Sequence, residues 1–298
     1  MTATWHHIAR KDLEDAVRSR VLWGLIFVFV AFLVMSLLAA EELFPDNVIV
    51  DIPKLLTGVA MLAQLFIPGV ALVVGYLAVV GERRSGSLRV LLSYPFSRSD
   101  VLIGKLLGRT IVTLTALVIG FVVATVLIVL LHGWPAIAAF AGFIAAGIIL
   151  AISFTAFAVG VSAAVATRGR AMAVSFGTFV VMMFFWRPIV IGSYWLRYGT
   201  LPEVQVERWY LFLLRLNPLE AYRTVVGSFI DERVYPLPDL HLEDVPPELP
   251  AEQFTTAHRL GGEVPFYLDP MFGVVVLLAW GAIPVLLGYR RFLKTDLS

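Results

Sequence analysis

The sequence contains no cysteine and little charge, and each absence excludes a class of chemistry. Without cysteine the chain forms no disulfide, no thiolate metal site and no cysteine nucleophile. Charged residues make up 15% of the 298 residues and apolar residues 59%, whereas soluble domains are about 25% charged and about 45–50% apolar. The composition therefore indicates a protein embedded in lipid. The formal net charge of +1 gives no indication of nucleic-acid binding.

The residues that intramembrane catalysis and nucleotide hydrolysis require are also missing. No acidic residue lies in the middle of an apolar segment, and the five histidines lie at or beyond the edges of these segments, at positions 6, 7, 132, 241 and 258. No GxxxxGK[ST] phosphate loop is present. We therefore expect no enzyme activity, no catalytic residue and no metal or cofactor bound by this chain.

Six apolar segments have the length of about 20 residues that crossing a bilayer requires. They cover residues 21–40, 57–80, 110–131, 138–166, 171–195 and 270–289. Terminal and connecting segments lie alternately on the two sides of the membrane. The segments on the side of the two termini hold 15 of the 23 Lys and Arg residues and 6 acidic residues, and those on the other side hold 7 basic and 15 acidic residues. The positive-inside rule then places both termini in the cytoplasm. The sequence predicts an all-α integral membrane protein with a single transmembrane domain over residues 1–298.

Two features are expected on the cytoplasmic side. Residues 1–20 have apolar residues at helical spacing, among them Trp5 and Ile8, which predicts an amphipathic helix in the inner interface. Residues 81–109 form a loop in which Ser97 and Asp100 match a capping box. A helix from there to residue 131 is about 51 Å long, against a hydrocarbon core of about 30 Å, so residues 98–109 should project from the membrane.

The projecting loop is either a solvated connection or a docking surface, and its apolar residues favour the docking surface. Leu88, Leu91 and Leu92 lie between Gly86 and Pro95 in the stretch GERRSGSLRVLLSYPFSRSD, residues 81–100. This pattern favours a short helix that docks on a soluble partner. Small residues on one helix face predict close packing against another helix at two places. One is the face of Gly104 and Gly108, and the other is the small-xxx-small stripe of Ala156, Gly160 and Ala164.

The stretch with Glu82, Gly86 and LRVLLSYPFSRSDVLIGKLLGR resembles the coupling region of the type 2 ATP-binding cassette (ABC) exporter permeases. Within that family it most resembles the permeases of the nitrous-oxide reductase maturation operon. The resemblance implies a prokaryotic plasma-membrane exporter subunit bound to two cytoplasmic ATPase subunits, which hold the ATP and Mg. It also implies a dimer of permeases, either two copies of this chain or this chain with a sister permease. The ATPase-coupling residues would be Glu82, Arg83, Arg84, Gly86, Leu88, Arg89, Leu91 and Leu92.

The resemblance also implies that the second and fifth segments line the translocation path. In the second segment the candidates are Gln64 and Pro68, with Pro68 expected to kink the helix. In the fifth they are Thr178 and Arg187. A charged residue within a span is a candidate functional site. Because Arg187 lies among aromatic residues near the outer end, an interfacial anchor is the alternative.

Residues 196–268 are expected to form a large extracytoplasmic loop. The segments EVQVERWYLFLLRL and LEAYRTVVGSFI have apolar stripes of helical spacing, which predict two short external helices. Residues 231–268 are acidic and contain six prolines, and they could act as a lid or as a dock for an external partner. An ion-coupled transporter or channel without an ATPase remains the alternative function.

Overall fold

Regular secondary structure in the described part of the chain is entirely helical. The computed structural model describes residues 5–20, 23–24, 26–31, 34–35, 52–85, 97–230, 232–237, 243 and 255–294. In chain order the α-helices are α1 (Trp5–Val17), α2 (Ile52–Gly75), α3 (Val80–Ser85), α4 (Arg98–His132), α5 (Ile137–Ala164), α6 (Arg168–Val180), α7 (Trp186–Tyr198), α8 (Arg208–Arg215), α9 (Pro218–Ile230), α10 (Thr256–Leu260) and α11 (Phe272–Leu293). A π-helical turn, Val181–Phe185, joins α6 to α7, and a 3₁₀ turn covers Phe266–Leu268.

Five helical segments of the described residues are long and apolar enough to cross a membrane. They are Ile52–Arg83, Arg98–His132, Ile137–Ala164, Arg168–Tyr198 and Phe272–Leu293. The remaining predicted span, residues 21–40, lies largely outside the described residues. Its described residues 23–24, 26–31 and 34–35 are helical, and Ile26 is buried in a cluster with residues of α2 and α4. The apolar helices confirm a multi-pass membrane protein, and the sixth span stays a prediction.

Helix α4 begins where the sequence predicts. The Ser97 hydroxyl accepts a hydrogen bond from the Asp100 backbone N–H at 3.1 Å, and the Asp100 carboxylate accepts one from the Ser97 backbone N–H at 3.1 Å. This capping box satisfies two backbone groups that a helix N-terminus leaves without intrahelical partners. The helix has 35 residues, about 52 Å at 1.5 Å per residue, which is longer than the hydrocarbon core.

Helix α5 occupies the centre of the bundle and packs against α2, α4, α9 and α11. Its contact with α11 is the closest, because Gly160 faces the backbone of Pro284 and Gly288 faces the backbone of Gly160. A Cβ added at Gly160 would overlap the Pro284 carbonyl carbon, and one added at Gly288 would overlap the Gly160 carbonyl oxygen. The close packing predicted for the small-residue stripe is confirmed at Gly160.

The fifth predicted span contains an irregularity that periodicity did not indicate. The π turn Val181–Phe185 interrupts it. The buried Asn217 side chain donates from Nδ2 to the Met182 carbonyl oxygen at 2.7 Å, and its Oδ1 accepts from the Leu219 backbone N–H at 2.9 Å. Asn217 therefore satisfies a backbone group of the π turn and caps the start of α9.

Helices α8 and α9 occupy the two segments in which the sequence predicts short helices. The indole N–H groups of Trp186 and Trp280 donate to the carbonyl oxygens of Leu213 and Leu216, at 3.0 and 2.8 Å. These bonds satisfy carbonyls at the C-terminal end of α8, where intrahelical partners are missing. Helix α8 is thereby fixed against α7 and α11. Its position outside the membrane stays a prediction.

Candidate functional site

Four charged side chains from three parts of the chain meet at one end of the bundle. The Lys105 ammonium on α4 lies 2.6 Å from Asp12 Oδ1 on α1 and 2.5 Å from Glu82 Oε1 on α3. Arg109, one turn further along α4, places Nε 2.6 Å from Asp12 Oδ2 and Nη2 3.2 Å from Asp12 Oδ1. We call Asp12, Glu82, Lys105 and Arg109 the charge network, and the end of the bundle that holds them the α1 end.

The charge network forms because α1 lies unusually close to α4. A Cβ added at Gly104 would lie 2.8 Å from the Ile8 Cβ and from the Trp5 carbonyl oxygen, and one at Gly108 would lie 2.8 Å from the Asp12 Cβ. Only glycine permits this approach, so the small face predicted for Gly104 and Gly108 is confirmed as a packing surface. The close approach brings the short Asp12 side chain within reach of both cations on α4.

The charge network is closed to solvent at its centre. Asp12 is 2% exposed and Lys105 is 3% exposed. Two carboxylates face two cations, so the formal charges of the four groups cancel. In such a setting the ions attract strongly but have lost their hydration, and removing one partner leaves an uncompensated buried charge. The network therefore makes the relative position of α1, α3 and α4 sensitive to any change in one member.

Arginine side chains tie the same end of the bundle to the ends of two further helices. Arg83 donates from Nη1 to the Val165 carbonyl oxygen at 3.0 Å, beyond the C-terminus of α5. Arg98 donates to the carbonyl oxygens of Phe292 and Leu293, at 2.5 and 2.9 Å, in the last turn of α11. Both guanidinium groups lie over the Phe292 ring, 5.9 and 5.6 Å from its centroid. The last carbonyls of a helix lack intrahelical partners, so cations there are favourable.

Only part of the predicted coupling set falls on described residues. Glu82 and Arg83 are both described, and the structure places their side chains in the intramolecular contacts given above. Arg84 belongs to α3, but its side chain lies outside the described residues. The others also lie outside them: Gly86, Leu88, Arg89, Leu91 and Leu92. The short helix predicted between Gly86 and Pro95 and its docking surface stay predictions.

The four residues predicted for the translocation path have different surroundings. Gln64 is buried and donates from Nε2 to the Tyr235 carbonyl oxygen at 2.9 Å. Pro68 is buried inside α2, and the helix continues through it to Gly75. Thr178 is half-buried on α6. Arg187 lies on α7 beside two carboxylates. The structure thus shows where each residue lies, and a shared path stays a prediction.

Arg187 belongs to a second cluster at the opposite end of the bundle. Glu243 is at its centre, with Oε1 2.7 Å from the Tyr210 hydroxyl and 3.5 Å from Arg187 Nη2, and with Oε2 3.3 Å from Arg259 Nη2. Burial, and after it the charge of Glu243, raises the pKa of Tyr210, so its hydroxyl is the proton donor. We call the end with α8, α9 and α10 the α8 end.

Among the described residues, no group of three His, Asp or Glu side chains is placed to hold a metal ion.

Sequence reasoning missed Asp12, Lys105 and Arg109. A signal for Asp12 was present, because it lies four residues after Ile8 and so falls on the apolar stripe of α1. Lys105 follows Gly104 directly and is adjacent to the small face of α4. A charged residue on a packing face is a candidate for a buried ion pair. Its partner could not be named without the packing of α1 on α4.

Comparisons with known proteins cover most of the chain. A sequence model of the family described as ABC-2 family transporter protein matches residues 6–297. The chain is 34% identical over 131 residues to the probable ABC transporter permease protein NosY of Stutzerimonas stutzeri. The aligned segment covers 44% of this chain and 47% of the relative. It is 33% identical over 121 residues to the protein of the same name from Pseudomonas aeruginosa, covering 41% of this chain and 44% of the relative. The chain thus spans less than half the length of these two relatives.

Proposed function

Because the chain belongs to the ABC-2 family of transporter proteins, we propose that it is the permease subunit of an ATP-driven exporter. A separate cytoplasmic ATPase subunit would hold ATP and Mg, and this chain would move the substrate out of the cytoplasm. The relatives named as permeases support the permease role. Our proposal adds three statements to family membership: a separate ATPase subunit, transport out of the cytoplasm, and location in a prokaryotic plasma membrane.

The charge network is the observation that carries this proposal. Residues 86–96, where the partner would dock, are flanked by Glu82 on one side and by α4 on the other. The 2.5 Å ion pair between Glu82 and Lys105 connects these two flanks, and Asp12 adds α1 to the same unit. Glu82 lies in the helical segment Ile52–Arg83, which includes α2. A movement of residues 86–96 would therefore be transmitted to α2 and α4 together.

The assembly follows from the number of docking segments. One chain offers one segment 86–96, whereas the family arrangement implied above uses two ATPase subunits. We propose two copies of the permease related by a twofold axis, since closed dimers are the commonest symmetric assemblies. The α1 end would face the cytoplasm together with both termini, as the distribution of Lys and Arg indicates. The acidic segment 231–268 would lie outside, where it could serve as a lid or bind an external partner.

The test is ATP hydrolysis by the tagged full-length protein purified with its partner from membranes of its own host. In the double variant Leu88→Asp/Leu91→Asp, two apolar side chains become charged, and burying an unpaired carboxylate in an apolar interface is strongly unfavourable. We expect Mg-dependent ATP hydrolysis to purify with the unaltered chain and to be lost from the double variant. Membrane insertion should be unchanged.

Leu201→Asp is the matched control, because Leu201 is exposed at the other end of the protein. It should keep the ATPase activity. Normal ATP-dependent transport by the Leu88/Leu91 variant would overturn the coupling assignment. Transport by the purified chain driven by an ion gradient, with no ATPase present, would instead support the ion-coupled alternative.

A further inference from the structure

A cavity of about 550 Å³ lies at the α8 end, between α7, α8, α9, α10 and residues 232–236. Five of the side chains that line it are arginines: Arg187, Arg215, Arg223, Arg233 and Arg259. Two carboxylates, those of Glu220 and Glu232, also line it. Its volume is in the range of sites that bind small molecules, about 300–1,000 Å³. We call this cavity the arginine chamber.

Ion pairs within the described residues account for part of the arginine charge. Arg223 pairs with Glu220, which lies one turn earlier in α9. Arg187 and Arg259 share Glu243, at 3.5 and 3.3 Å. Five guanidinium groups nevertheless line this one cavity, so its described walls are rich in hydrogen-bond donors.

Arg215 contributes a hydrogen-bond donor that the described residues leave unused. Its Nη2 donates to the Thr256 hydroxyl at 2.5 Å. Its Nη1 is buried and has no hydrogen-bond partner among the described residues. Burial lowers the pKa of Arg215 to about 10, Asp269 opposes the change, and the like charge of Arg259 adds to it. A buried guanidinium donor without an acceptor is unfavourable unless a ligand supplies one.

We propose that the arginine chamber binds an anionic phosphate group through Arg215, with Arg259 and Arg187 beside it. A planar guanidinium presents paired N–H donors that match the oxygens of phosphate, and several of them in one cavity favour an oxyanion over a neutral ligand. The phosphate could belong to a free ion or to the headgroup of an anionic phospholipid. This site lies at the opposite end of the bundle from the charge network and does not depend on the ATPase.

The experiment uses the full-length chain in lipid nanodiscs, without any ATPase. In phosphatidylcholine nanodiscs, inorganic phosphate is titrated by calorimetry against chloride at equal ionic strength. In a second arm, phosphatidylglycerol is added to the nanodiscs and the lipid retained by the protein is counted by native mass spectrometry. Four proteins are compared: the unaltered chain, Arg215→Met, Arg215→Lys and Arg208→Met. Arg208 is exposed on the same helix and does not line the chamber.

We expect Arg215→Met to weaken binding of phosphate or phosphatidylglycerol about tenfold or more, the effect of losing a charge-assisted hydrogen bond. Arg215→Lys should weaken it less, because the charge remains and only the paired donors are lost. Arg208→Met should bind like the unaltered chain. Loss in the first arm identifies a free anion as the ligand, and loss only in the second identifies a lipid headgroup.

Equal binding by the unaltered chain and Arg215→Met in both arms, or no saturable binding in either, would overturn the proposal. Thermal unfolding of each variant checks that the fold is retained. If Arg215→Met does not fold, the comparison of Arg215→Lys with Arg208→Met decides, since both keep a cation at position 215 and only Arg215→Lys loses the paired donors there. Equal affinities in that comparison would also contradict the assignment.

Discussion

Lys105 Nζ lies 2.6 Å from Asp12 Oδ1, although 93 positions separate the two residues in the chain. The pair joins the N-terminal helix α1 to the start of the long helix α4, next to the segment where a soluble partner would dock. Glu82 contacts the same ammonium at 2.5 Å. A single lysine thus links the two helices that flank residues 86–96 and the helix that packs beside them. The first two predictions concern this arrangement.

The first prediction is that Lys105→Met destabilises the protein by about 3–5 kcal/mol, because it removes the cation that faces two carboxylates in a buried site. Lys54→Met is the control, since Lys54 is exposed on α2. The free energy of unfolding of both variants is measured in detergent by thermal or denaturant titration. A loss for Lys105→Met no larger than that for Lys54→Met would contradict the buried role of the lysine.

The second prediction is that Gly104→Ala displaces α1 from α4. The new methyl group would lie 2.8 Å from the Ile8 Cβ and the Trp5 carbonyl oxygen, so the two helices must separate. The protein lacks cysteine, so Ala9→Cys, at a buried position of α1, can be introduced as a specific probe. We expect the thiol at position 9 to react several-fold faster with a maleimide when Gly104 is also replaced.

Gly58→Ala is the matched control for this substitution. Gly58 lies inside α2 and has no heavy atom within 4 Å of an added Cβ. Alanine there should leave the reactivity at position 9 unchanged and raise stability by about 0.5–1 kcal/mol, since alanine favours helix over glycine. Equal reactivity in the Gly104 and Gly58 variants would show that α1 does not depend on the glycine contact.

The third prediction separates the two roles of Asn217. Asn217→Ala should cost about 2–4 kcal/mol, because it removes the cap of α9 and leaves the buried Met182 carbonyl without its donor. Asn217→Ser keeps an oxygen near the Leu219 N–H but is too short to reach Met182, so it should cost about half as much. Unfolding measurements in detergent on both variants test this. Similar losses would mean that only one of the two bonds matters.

The fourth prediction concerns orientation. Single cysteines at Lys11, Glu263 and Lys294 replace side chains that are exposed. In intact cells a membrane-impermeant maleimide should label Glu263→Cys and should leave Lys11→Cys and Lys294→Cys unlabelled until the membrane is opened. The physical reason is the concentration of Lys and Arg at the α1 end. Labelling of Lys11→Cys in intact cells would reverse the proposed topology.

Features that depend on neighbouring residues were correctly predicted. The capping box of Ser97 and Asp100, the packing role of Gly104 and Gly108, and the helices at residues 98–131 and 138–166 follow from local spacing and from continuous apolar segments. A helix repeats every 3.6 residues, so residues three or four apart share a face whatever the rest of the chain does. The family resemblance rested on the same kind of local signal, in residues 82–109.

What only the tertiary structure decided is which distant side chains meet. The sequence contained Asp12, Glu82 and Lys105, but the partners depend on the angle and depth at which α1 packs on α4, to within an ångström. The sharing of Glu243 by Arg187, Tyr210 and Arg259 likewise depends on how α7, α8 and α10 are placed. The π turn at Val181–Phe185 goes with a hydrogen bond from Asn217, 35 positions away in the chain. A hydrogen bond or a contact ion pair requires its two heavy atoms to lie about 3 Å apart, a precision that comes from packing of the whole bundle and not from periodicity.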